Sequence, residues 1–146
     1  MQLDLVKAAI RDAVVAAEIP NLDCYAYLPA KPSIPCFYTA EVTFEPNNSF
    51  GPTAGGHDTA EVTCRVLTST ADDADGQLLL DKYLSRDGQY SIRAALLAAR
   101  GEPGELALSG TCDDFKITRI DGYRLVTVGD GDVYFGAAIT LHIIGS

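Results

Sequence analysis

The 146-residue chain has no uninterrupted apolar run near the roughly 20 residues that a membrane helix requires. Its first residues, MQLDLVKAAIRD, interleave charge with apolar side chains and lack the continuous apolar stretch of a signal peptide. Synthesis and folding in the cytoplasm are therefore expected. Cations are scarce: 11 Lys and Arg stand against 20 Asp and Glu, a formal net charge of −9. Binding to a phosphate backbone rests on cationic neutralisation, so a general attraction to nucleic acid is disfavoured. Catalytic signatures are missing too, with no P-loop, no GxGxxG and no GxSxG. No CxxC pair occurs among Cys24, Cys36, Cys64 and Cys112, and together with His57 and His142 they match no common zinc spacing. Four reduced, partly buried thiols are expected. There is no internal repeat, low-complexity tail or charge block.

Apolar residues make up 47% of the chain, enough for one packed domain spanning 1–146. Leu3, Val6, Ile10, Ala13, Val14 and Ala17 share one helical face, which predicts a helix over 3–18, stopped by Pro20 and Asn21. DCYAYL (23–28) and CFYTAEVTFE (36–45) read as strands. Between residues 46 and 59, PNNSFGPTAGGHDT reads as a long mobile loop with one aromatic residue, Phe50. TAEVTCRVLTS (59–69) alternates, with Val62, Cys64 and Val66 on one side and Glu61, Thr63 and Arg65 on the other. A helix is predicted from about Thr70 to Leu84, with an acidic first turn, and a second over 91–99. Leu106–Ser109 is a candidate short strand. Phe115–Ile120, Tyr123–Val128 and Val133–Ile144 read as closing strands, the last two joined by an Asp130-Gly131 turn. The resulting class is α+β: an antiparallel or mixed sheet with an N-terminal helix and a central pair of short helices packed on one face.

Two short helices around Ser85–Gly88 also have the outline of a DNA-reading helix-turn-helix. The second helix would offer only Ser91 and Arg93 to a base edge, and the chain is acidic, so the pair is better read as packing on the sheet. His142 reads as a strand-face residue with no evident orienting partner. The aspartate groups at 72, 73 and 75, at 113 and 114, and at 130 and 132 lack the spacing of a calcium loop and suit helix caps and turns.

STADDADGQLLLDKYLSRDGQYSIRAALLA, residues 69–98, resembles a stretch in the neck proteins of tailed bacteriophages, the tail terminator and head-to-tail connector family. The features carrying the likeness are a strand with a polar end, an acid-rich helix start and an LDxYLS segment. A Gly-containing break and a short Ser-Ile-Arg-Ala-Ala-Leu helix follow. The flanks agree: an amphipathic first helix, then YAYLP, then a Pro-rich approach to the next strand, and YFGAAITLHII to close.

The resemblance implies a structural virion protein without catalysis or cofactor. It would form a homo-oligomeric ring, commonly a hexamer, that caps the tail tube and stops its polymerisation. Its partners would be its own copies, the major tail tube protein and the head-tail connector or stopper. It would sit in the virion neck, after assembly in the host cytoplasm. DNA would cross the lumen without specific binding, and no membrane would be involved. The loop residues Asn47, Asn48, Phe50, His57 and Asp58 are candidates for an interface that orders on docking. Asp72, Asp73 and Asp75 are candidates for an acidic lumen. A head-side neck protein is the alternative within the class. A small enzyme or ligand-binding domain is the alternative outside it, and would need a pocket around His142 or the cysteines.

Overall fold

The structure, a computed structural model, describes residues 2–27, 29–30, 33–45, 58–70, 73–102, 104–128 and 131–145. In chain order the elements are α1 (Leu3–Ala16), β1 (Asp23–Tyr25), β2 (Cys36–Glu45), β3 (Asp58–Thr68), α2 (Asp73–Leu84), α3 (Ile92–Ala98), β4 (Asp114–Val128) and β5 (Asp132–Gly145). The strands form one mixed sheet in the order β1-β2-β3-β5-β4. Only the β1–β2 pair is parallel. The fold is α+β, with all three helices against one sheet face.

Period-2 alternation explains that one-sidedness. Val62, Cys64 and Val66 of β3 lie opposite Leu141, Ile139 and Ala137 of β5, and all six are buried. Phe37 of β2 and Phe115 of β4 extend the layer. Onto it α1 packs Val6, Ile10 and Val14, α2 packs Leu80 and Tyr83, and α3 packs Ile92 and Leu96. The opposite face carries a smaller cluster, Cys36, Tyr38 and Leu67, with Tyr25, Ile34, Val126 and Tyr134 against it.

The break between α2 and α3 is a hydrogen-bonded corner. Gly88 takes a φ of 104°, and the Ser91 amide donates to its carbonyl. The Ser91 hydroxyl donates to the carbonyl of Ser85 at the end of α2 and accepts from the Ala94 amide as the N-cap of α3. Ser91 is 2% exposed, so the cap is spent inside the fold and is not offered to a base edge.

Several boundaries differ from the sequence expectation. α1 ends at Ala16, before Pro20, because Glu18 turns left-handed at φ 53°. β1 stops at Tyr25, and Tyr27 is exposed. The expected strand at 106–109 is instead a 3₁₀ turn at Leu108–Gly110, since Leu108 and Ser109 both have positive φ. The two strands expected around Asp121-Gly122 are one strand, β4, whose register shifts absorb the irregularities at Ile117/Arg119 and Asp121/Arg124.

α2 is docked at its first turn. The buried Thr68 hydroxyl at the end of β3 donates to the Gly76 carbonyl at 3.1 Å. A methyl group on Gly76 would run into the Ser69 carbonyl oxygen and the Phe135 ring. An exposed helix glycine is ordinarily stabilised by alanine by about 1 kcal/mol. At position 76 the sign reverses: Gly76→Ala is expected to destabilise by about 1–3 kcal/mol through overpacking. Chemical denaturation of the two proteins measures this, and a more stable variant would refute the docking.

Candidate functional site

The sequence-predicted residues do not converge. Asp58 opens β3, half-buried and opposite Gly145. Asn47, Asn48, Phe50 and His57 lie outside the described residues, as does Asp72. Asp73 is the first residue of α2, and Asp75 is exposed in its first turn. Asp58 and the start of α2 lie beyond opposite ends of β3. At about 3.3 Å per residue, an 11-residue strand separates them by about 33 Å. Asp58 and Asp75, described members of the two candidate groups, therefore stand near opposite ends of β3.

Between those ends lies the sheet face that no helix covers. His142 on β5 sits between Glu61 of β3 and Lys116 of β4, its register partners on either side. The hollow beside it, lined by Thr43, Glu45, Thr59, Ala60, Glu61 and His142, has a volume of about 110 Å³. Small-molecule sites ordinarily need about 300 Å³ or more. A larger open cleft, about 500 Å³, is lined by Glu102, Glu105, Asp113, Asp114 and Arg100. Arg100 clamps Asp114 through two hydrogen bonds of 2.9 and 3.1 Å, tying the turn after α3 to the start of β4. That clamp holds the Asp114 carboxyl below the usual aspartate value. Among the described residues no three His, Cys, Asp or Glu side chains come close enough to hold a metal ion.

The cysteines are packing residues. Cys36, Cys64 and Cys112 are buried and Cys24 is half-buried, all as free thiols. Desolvation pushes Cys36 and Cys64 up to about 12, and Cys24 and Cys112 up to about 11. At neutral pH they stay protonated, which does not suit a nucleophile.

Sequence reasoning missed the surfaces that the strand order leaves open. The bare face carries both signs of charge: Glu41, Glu45 and Glu61 on β2 and β3, and Lys116, Arg119 and Arg124 on β4. Arg65 bonds Glu41 at 3.1 Å, and Arg119 bonds Asp121 at 2.8 Å. At the β4–β5 turn Leu125 is 68% exposed, close to the exposed Val133. Spacing alone hides these features, because the alternation of β4 is interrupted twice.

The thiols carry a pH prediction. Each has a folded pKa above the ordinary 9.0, so its contribution to stability is full below pH 9 and is lost as pH rises toward 11–12. The melting temperature should fall above about pH 9, and Cys64→Ala should flatten that fall while lowering stability at pH 7. Identical alkaline profiles for the two proteins would refute the assignment. No protein-family model matches the chain, and no curated protein matches its sequence.

Proposed function

We infer that this chain is a structural protein of a tailed-phage neck, acting as a tail terminator. In this reading copies of the chain close into a ring on the last ring of the tail tube, stop its polymerisation and offer a surface to the head connector. The observation that carries it is the strand–helix–corner–helix unit over residues 69–98. Those residues hold the resemblance to neck proteins, and they fold as one device: Thr68 fixes the start of α2, and Ser91 joins α2 to α3. An α+β domain with every helix on one face also suits a ring subunit, since a sheet face and both sheet edges stay available to neighbours.

Charge supports the same reading. Six copies at −9 each would carry −54, and an acidic passage repels phosphates so that DNA slides through. Asp73 and Asp75 remain the proposed lumen acids, together with Asp72 beyond the described residues. Asp58, a described member of the proposed docking loop, stands at the other end of β3.

Electron microscopy of particles from a phage with this gene disrupted tests the role. Abnormally long tails are expected, since tube growth has lost its stop. Tails of normal length beside unattached heads would reject the terminator role and assign the protein to the head side of the joint.

A further inference from the structure

The sheet ends on two open edges. β1 covers β2 only at Cys36–Tyr38, so Ala40–Glu45 has no strand on its outer side among the described residues. At the other end, β4 (Asp114–Val128) has β5 on one side and, among the described residues, no strand on the other. Long unpaired edges template another strand unless something blunts them.

The two edges are complementary in direction and in charge. β2 and β5 run one way, β3 and β4 the other. When two copies stand side by side in the same orientation, the β4 of one meets the β2 of the next antiparallel. On the bare face the β2 edge presents Glu41, Thr43 and Glu45, all exposed. On that same face β4 presents Lys116, Arg119 and Arg124, with Asp114 and Asp121 among them, each already held by an arginine of its own chain, Arg100 and Arg119. Five residues separate Arg119 from Arg124, which would put them on opposite faces of a regular strand. The register shift between Asp121 and Arg124 returns them to one face, opposite Thr140 and Gly136 of β5. The shift between Ile117 and Arg119 does the same for Lys116. On the helix face, half-buried Val42 and Phe44 match half-buried Ile117 and Ile120.

We propose that the chain assembles head to tail by adding the β4 edge of one copy to the β2 edge of the next. The register sets Glu45 opposite Arg119, Thr43 opposite Asp121, Glu41 opposite Arg124 and Phe44 opposite Ile120. Self-pairing is disfavoured in the matching registers: centred on Asp121, β4 on β4 sets Arg119 against Arg124 and Asp121 against itself, and centred on Thr43, β2 on β2 sets Glu41 against Glu45. The contact is thus heterologous, the kind that closes into a ring by rotation. It names the subunit contact of the ring inferred above and rests on that reading for its closure alone.

Charge exchange tests the contact. Glu41→Arg with Glu45→Arg makes one half-swapped protein, and Arg119→Glu with Arg124→Glu makes the other. Each alone should lose roughly tenfold or more in self-association, read by light scattering after size exclusion. Mixed in equal amounts they should assemble again, alternating around the ring, because each then meets an opposite edge. Circular dichroism melts confirm that both fold, as all four positions are exposed. Cysteine trapping reads the register: Thr43→Cys mixed with Asp121→Cys should give an intermolecular disulfide that neither variant gives alone. Rings that survive both half-swaps and give no such disulfide would overturn the edge contact and leave the terminator reading intact. Open chains that cross-link but never close, even on purified tail tubes, would keep the contact and overturn that reading. A protein that stays monomeric and uncross-linked at high concentration, or an edge that pairs only with a strand of another protein, would overturn the contact.

Discussion

The antiparallel pairing of β3 with β5 is the constraint on which the rest of this structure depends. It runs through eleven residue pairs, from Asp58 opposite Gly145 to Thr68 opposite Phe135. A one-residue slip of β3 would turn Val62, Cys64 and Val66 away from the helices and bring Glu61 and Arg65 in beneath them, and a slip of β5 would turn out Ile139 and Leu141 and bring in His142. Placing charges in an apolar layer without partners costs several kcal/mol each, so the register is held by burial more than by the ladder itself. β2 and β4 then join on either side, and the three helices have one face to cover.

Covering one face has a structural consequence. The helices supply a single layer, so the second face must be soluble by its own side chains, and alternation supplies Glu, Thr, Arg, Lys and His there. The apolar cluster of Cys36, Tyr38 and Leu67 is the exception, and it lies where residues Tyr25 and Ile34 come across it. The domain's distinctive surfaces among the described residues are a bare face and two strand edges.

Much of this could be read from spacing. The alternation of β3 and of β5, the faces of α1 and α3, and the Gly-Ser corner after α2 all follow from local periodicity and capping chemistry, and they define the α+β class. What spacing could not give was set by backbone conformation or by neighbours distant in sequence. The Ala107–Gly110 stretch has strand-like composition but left-handed φ at Leu108 and Ser109. Asp121-Gly122 reads as a turn, yet pairing with β5 carries the chain through it as a bulge. Tyr83 is more deeply buried than Leu84 because α2 lies against β3 and β5, a fact of docking that the helix sequence does not contain. The separation of Asp58 from Asp75 is of the same kind, since it depends on β3 being one straight strand.

The bulges of β4 bear on how a strongly acidic chain could associate with itself at all. Copies at −9 repel, and the repulsion must be met where they touch. Of the 11 cations, Arg11, Arg65, Arg100 and Arg119 form ion pairs within the chain, which leaves at most seven to offset that repulsion. A regular β4 would divide Lys116, Arg119 and Arg124 between its two faces and set part of that charge under the helices. Two register shifts collect all three on the bare face of one edge, while Glu41 and Glu45 stand on the same face of the other. Bulges at sheet edges are usually explained as protection against unwanted pairing. In β4 they also sort charge, gathering Lys116, Arg119 and Arg124 on the bare face.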